Sequence, residues 1–452
     1  MKTLISNGIV VNANGSKKMD VLVENGWITA VGEGLCAQGA ELIDAAECYV
    51  FPGFIDTHTH LDLDTGSAVT ADNFATGTAA ALLGGTTTVL DFATQDRGGT
   101  LATALNTWHK KAAGSSCNYG FHMAIATWND CVAQEFKTMA DEGIVSYKMY
   151  MVYDALRVDD GTIYSAMKYA RRFGALIGMH CENWDVLQRM IIEVKANGFT
   201  GPQGHPLSRP AEVEAEAVAR YLRIAQLAGA PAYVVHLSTA EGLNEALRAR
   251  ARGQRVYLET CPQYLLLTDE RYAQADAGKF VMSPPLRKST DNNALWHALM
   301  CGELDTIGTD HCSFTMAQKA MGADDFTKIP NGGAGLQHRA QLIYTYGVKE
   351  GRLSMEQMAG YLSTNAARLF GMPERGEIAP GKAADIVVWE NREGCITDTN
   401  TAHNCDNSPF AGFKTLGAAR DVLLNGQHVV RDGQLIARGM GKYIHRSRCY
   451  QE

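Results

Sequence analysis

"FPGFIDTHTHLD", residues 51–62, leads an apolar stretch into two histidines, His58 and His60, one residue apart. Side chains alternate along a strand, so both imidazoles would project from one face while Thr59 faces the other way. Alone, such a pair is more often hydrogen-bonded or solvated than bound to a metal. Its surroundings decide the reading.

Seven more short apolar runs follow: TTTVLDFA, YGFHMAIA, IVSYKMYM, LIGMHCEN, AYVVHLST, VYLETCPQ and DTIGTDHC. Longer segments with helical spacing separate most of them. In PAEVEAEAVARYLRIAQLAG, Pro210 stands just inside an expected Ser208 cap and a glycine closes the segment. Runs this continuously apolar suit strands covered on both faces. Eight of them alternating with helices predict an α/β fold with a closed parallel (β/α)8 TIM barrel over residues 51–376, ahead of a doubly wound sheet.

Residues 1–50 and 377–452 have a different texture. Both show short strands punctuated by Asn7-Gly8, Asn14-Gly15, Asn25-Gly26, Asn425-Gly426 and Asp432-Gly433, pairs that supply the positive φ of tight hairpins. Neither end could bury one face of a sheet alone, so the two are expected to form one small β-sandwich. The final GMGKYIHRSRCYQE reads as a subunit contact or a frayed end.

Bulk properties narrow the function classes. The 452 residues are 46% hydrophobic and 20% charged, with a formal charge of −8, which predicts no nucleic-acid or membrane partner. MKTLISNGIVVNANG lacks a signal-peptide apolar region, and no run is long enough to span a bilayer. Eleven cysteines without a CxxC pair suggest reduced thiols and a cytoplasmic protein.

Against this background the polar residues inside strands stand out. Lys148, His180, His236 and Asp310 each lie towards the C-terminal end of an apolar run. In a barrel those ends converge on one mouth, which would gather six polar groups from five strands. Burying unpaired charge or imidazole costs several kcal/mol, so a shared ligand is the better explanation. Imidazole and carboxylate suit zinc or a similar metal, and six groups are too many for one tetrahedral site. Two metals fit better.

Lys148 cannot ligate as an ammonium. Burial beside cations lowers its pKa, and the neutral amine could take up carbon dioxide as an anionic carbamate. Two dications carry four positive charges; Asp310, the carbamate and one bridging hydroxide would cancel three of them. Such a hydroxide is the nucleophile a hydrolase needs at neutral pH.

PGFIDTHTHLD, DNFATGTAAALLGGTTTVLDFA, SYKMYM, HCEN, SRPAEVEAEA, VVHLST, ETCPQYLLLT, FVMSPPLR, GTDHCSF, IPNGGAGLQHR and GEIAPGKAADIVVW occur here in order. Together they resemble the amidohydrolase superfamily, and within it the hydantoinases and dihydropyrimidinases. The resemblance implies a barrel beside a sandwich made from both termini, and a binuclear zinc site. In that site His58, His60 and Asp310 would hold one metal, His180 and His236 the other, with N6-carboxylated Lys148 and a hydroxide as bridges. It further implies that Tyr153 hydrogen-bonds a developing oxyanion and that main-chain groups of Ser283 and Asn331 hold a cyclic ureide. The implied reaction is hydrolysis of the ring amide of a 5-substituted hydantoin or a dihydropyrimidine to an N-carbamoyl amino acid. Asp310 would shuttle the proton, in a protein that commonly forms a homotetramer.

Two positions depart from the pattern. LDLDTGSAVTADN stands where relatives often have a Pro-Phe segment, and Gln337 where they often have an acidic residue. Allantoinase is the nearest rival. Dihydroorotase commonly carries an arginine where Asp62 stands, and a non-catalytic relative would lose ligands, whereas all six candidates are present. Cys181 and Cys312, beside candidate ligands, should face away as packing residues. His122 is expected to be a hydrogen-bonded core residue, and His311 to orient the site from behind.

Overall fold

A computed structural model describes residues 2–450. Each apolar run is a strand: β1 (Phe54–Thr59), β2 (Thr86–Thr94), β3 (Asn118–Ala124), β4 (Ser146–Tyr150), β5 (Leu176–His180), β6 (Ala232–Val234), β7 (Val256–Thr260) and β8 (Thr306–Ile307). They pair in parallel and in chain order. A parallel bridge from Thr59 to His311, just past β8, closes the ring, with the His60 amide donating to the His311 carbonyl at 2.8 Å. Every residue of β1, β4 and β5 is buried, as strands walled by helices outside and side chains inside must be.

Local chemistry starts the helices where the strands end. Asn73, Thr100, Asn129, Asp159, Asn183 and Thr239 each accept a backbone N–H of the first turn that follows. The helix Ala211–Ala228 corrects one expectation. Its cap residue is Pro210, with no side-chain cap bond, and Ser208 Oγ donates to the His205 carbonyl instead. Its C-terminal Gly229 takes φ +65°, the left-handed stop the sequence implied.

The two ends of the chain do share a sandwich. Its larger sheet places Tyr49–Pro52 between Ile9–Asn12 and Ile386–Glu390. The smaller sheet is built from Lys2–Ser6, Asp20–Glu24, Trp27–Gly32 and Glu41–Asp44. Ile5, Val21, Ile28, Val50, Ile386, Val388 and Leu423 pack between them. Asn12 Nδ2 donates to the Ile378 carbonyl at 3.0 Å, pinning one end to the other. Tyr49–Pro52 passes into β1 through Gly53, where a Cβ would stand 2.1 Å from Thr87 Oγ1.

Two readings of the ends change. Asn14-Gly15, Asn25-Gly26, Asn425-Gly426 and Asp432-Gly433 close antiparallel hairpins. Asn7-Gly8 does not, because Lys2–Ser6 and Ile9–Asn12 belong to different sheets; the positive φ of Asn7 turns the chain across the sandwich. The tail is neither frayed nor free over its described part, Gln451 and Glu452 lying outside it. Tyr119, Gly174 and Gly371 lie along its path, where its main chain exchanges hydrogen bonds with theirs, and Arg446 is buried beneath β3 and β4. The eleven cysteines form no disulfide. No helix among the described residues is long and apolar enough to cross a membrane.

Candidate metal centre at the barrel mouth

The C-terminal ends of five strands carry the six predicted groups to one place. His58 and His60 leave β1, Lys148 sits within β4, His180 ends β5, and His236 and Asp310 follow β6 and β8. Asp310 Oδ1 lies 3.3 Å from His58 Nε2 and 3.2 Å from His60 Nε2. Ring centroids continue the chain, with His58 5.3 Å from His236 and His236 4.5 Å from His180. The Lys148 Nζ is held over the Phe92 and Tyr150 rings at 5.1 Å from each, and its charge acts on His58, His180, His236 and Asp310 alike.

Electrostatics puts these groups in the forms ligands need. Burial pushes His58 and His236 well below the ordinary imidazole value, with the Lys148 charge adding to it, so both are neutral. Burial likewise lowers His180. For Asp310 burial acts upward, but the His58 and His60 rings outweigh it and keep the carboxylate ionised. Burial brings Lys148 from 10.5 to about 8, within reach of its neutral amine.

Two carboxylates that the sequence reading passed over aim the imidazoles. His58 Nδ1 pairs with Glu259 Oε1 at 2.6 Å, while Thr57 Oγ1 and Tyr233 OH donate to Glu259 Oε2 at 2.6 Å each. His180 Nε2 pairs with Glu182 Oε2 at 2.6 Å, and Arg209 Nη1 reaches both oxygens of Glu182 at 2.8 Å. Burial alone would raise Glu182, but Arg209 holds it below the carboxylate range. A carboxylate behind an imidazole fixes which nitrogen carries the proton and frees the other to bind. The signal was present in both cases: Glu259 is a lone charge in an apolar strand, and Glu182 stands two residues past His180.

The donor set fits a bound metal on three observations, and among the described residues His58, His60 and Asp310 bring their ligand atoms close enough to share one ion. His58 Nε2 and His236 Nδ1 are buried without a hydrogen-bond partner, a costly state for an imidazole unless a ligand takes the lone pair. The separations of 3.2 and 3.3 Å equal the ~3.3 Å expected between neighbouring ligand atoms around tetrahedral zinc with bonds of about 2.0–2.1 Å. Asp310 at φ +52°, His236 at +38° and Tyr153 at +68° are held in the left-handed region, a strain of about 1–3 kcal/mol each that concentrates at functional sites.

The other predicted residues are near at hand. Tyr153 follows β4 with its ring 5.3 Å from that of His180, and burial raises its hydroxyl, so it stays a donor. Ser283 is buried, and its hydroxyl oxygen has no hydrogen-bond partner. Gly332 N donates to the Val281 carbonyl at 3.0 Å, which joins the Asn331 loop to the Ser283 loop. His122 is a core residue, bonded to Ser146 Oγ at 2.6 Å and the Thr57 carbonyl at 3.0 Å. Cys181 and Cys312 are buried, and burial pushes both thiols up. The His311 ring turns away to Asp72, 3.2 Å distant, so it serves the site through its main chain. Gln337 also points elsewhere, its Oε1 accepting from the Ala402 amide at 2.7 Å.

Residues 49–429 match the amidohydrolase family. The chain belongs to that family. This amidohydrolase is 43% identical over 458 residues to a D-hydantoinase of Geobacillus stearothermophilus, covering 99% of the chain and 97% of the relative. A D-phenylhydantoinase of Escherichia coli O1:K1 is 40% identical over 454 residues, covering 99% and 98%. Among solved structures, a dihydropyrimidinase from Brevibacillus agri superposes on the amidohydrolase with a TM-score of 0.98 at 41% identity, covering 100% of both chains.

Proposed function

We propose that this amidohydrolase opens the ring amide of 5-substituted hydantoins or dihydropyrimidines, yielding N-carbamoyl amino acids. The observation that carries the reading is the pair of buried, partnerless imidazole nitrogens, His58 Nε2 and His236 Nδ1, at the mouth of a barrel whose relatives are hydantoinases. In this reading His58, His60 and Asp310 would hold one zinc ion, His180 and His236 would hold a second, and Lys148, as a carbamate, would serve both. When bound, the metals supply Lewis acidity and lower the pKa of water into the neutral range.

The chain's own groups do the rest. Asp310, kept ionised by its imidazole neighbours, accepts the proton of the attacking water and passes it to the leaving ring nitrogen. Tyr153, protonated by virtue of its burial, donates to the oxygen on which negative charge develops. Main-chain groups of Ser283 and Asn331 receive the ureide and set its orientation. The family resemblance also supports a homotetramer working in the cytoplasm.

The test is parallel turnover of phenylhydantoin, hydantoin, dihydrouracil, allantoin and dihydroorotate by zinc-loaded protein. Hydantoins and dihydrouracil should be opened fastest. Turnover confined to allantoin or dihydroorotate would refute the assignment.

A further inference from the structure

We propose that Lys319, which no ligand or proton-transfer role requires, is a positioning residue that aims the main chain of Asn331 at the substrate. The inference rests on the reading of Ser283 and Asn331 as the groups that receive the ring.

Lys319 ends the short helix Met316–Lys319, which Thr315 caps in the loop following Asp310. Its side chain is buried, with 2% of the residue exposed. Nζ donates to three carbonyls: Val281 at 2.8 Å, Pro330 at 2.7 Å and Gly332 at 2.6 Å. An ammonium has three protons, and all three are used. Among the described residues no carboxylate pairs with it, and burial drives it from 10.5 to about 7. A buried amine held by three carbonyls and the Phe314 ring, 5.5 Å away, with no counter-charge, is an expensive way to staple loops, so what it aims should matter.

The peptide planes show what is aimed. In a trans peptide the C=O and N–H of one unit point in opposite directions. The Pro330 carbonyl belongs to the same unit as the Asn331 N–H, so gripping that oxygen turns the Asn331 N–H away from Lys319. The Asn331 carbonyl shares its unit with the Gly332 N–H, which donates to Val281 O at 3.0 Å, the oxygen that Lys319 also holds. Both main-chain groups of Asn331 therefore take their direction from one ammonium. The same contact anchors Val281, two residues before Ser283. No side chain could share the space, because a Cβ on Gly332, at φ +140°, would stand 2.3 Å from the Cys312 carbonyl.

The experiment compares zinc-loaded wild type with Lys319→Met, which keeps length and loses every donor, and Lys319→Gln, which keeps two N–H groups. For the preferred cyclic amide, KM should rise about tenfold in the Met variant and less in the Gln variant, with kcat within about threefold and zinc content unchanged. Hydrogen exchange of the holoenzyme should lose protection at residues 281–284 and 330–333 and nowhere else. Unchanged KM in both variants, or kcat, zinc content and global protection falling together, would overturn the role of Lys319. Should Lys319→Met not fold, KM of Lys319→Gln decides alone. Wild type that opens no cyclic amide would instead remove the substrate reading, and this proposal with it.

Discussion

Beneath the barrel floor the Arg446 guanidinium is 1% exposed and donates to Ser146 Oγ at 2.8 Å and to the Phe121 carbonyl. At the mouth the Lys148 ammonium is equally buried, yet it meets two aromatic faces at 5.1 Å and, among the described residues, no carboxylate within ion-pair range. Both sites bury a cation. Below, two of its three nitrogens donate to neutral oxygens of β3 and β4 and only Nε lacks a partner; above, the ammonium makes no hydrogen bond among the described residues, and the neighbouring His58 and His236 have lone pairs left over as well. A buried charge with most of its donors bonded fastens strands, whereas one with none bonded, amid imidazoles that also lack partners, marks where a missing ligand belongs.

Removing each cation should therefore damage different properties. Lys148→Ala should lower kcat/KM by about a thousandfold or more and zinc content from two towards zero per chain, since one bridge serves both ions. Full activity with two zinc ions in that variant would refute the carbamate. Arg446→Ala should leave zinc content and kcat/KM within about twofold while lowering unfolding free energy by about 1–3 kcal/mol, the cost of stranding the Phe121 carbonyl. A loss of metal there would erase the distinction between the two ends.

The most gradual expected effect is a pH slope in the metal-free protein. Lys148 titrates at about 8 folded and at 10.5 when free, so below pH 8 its charge opposes folding in full. Between those values the unfolded chain binds more protons, and stability should rise with pH by at most about 1.4 kcal/mol per pH unit. Urea unfolding of apoprotein at pH 7, 8, 9 and 10 measures it, and Lys148→Met should flatten the rise.

How legible each end was follows from the same contrast. The mouth could be read because a charge or imidazole inside an otherwise apolar strand is conspicuous, and six such residues pointed one way. Glu259 carried the identical signal and was passed over among ETCPQ, since nothing local says that a carboxylate serves an imidazole rather than a metal. The frayed-end reading of the tail failed because its polarity looks like a solvated end; its partners, Ser146 and the Phe121 carbonyl, are some 300 positions away. The Asn7-Gly8 corner failed for a related reason, as positive φ is shared by hairpins and by crossings between sheets. Lys319 resembles any surface lysine until the carbonyls of Val281, Pro330 and Gly332 are seen to converge on it.

The strand Tyr49–Pro52 has a kinetic consequence. It completes a sheet whose far members, tied through Asn12 and Ile378, are 366 positions apart, and it runs straight into the segment bearing His58 and His60. Its pairing with Ile9–Asn12 closes only a short loop, whereas its pairing with Ile386–Glu390 must bring distant parts of the chain together, a slower step. During refolding the ion-binding segment can therefore be held on one edge early, and gains its second edge only when the chain's two extremities meet, so full rigidity of the centre is expected to follow topology.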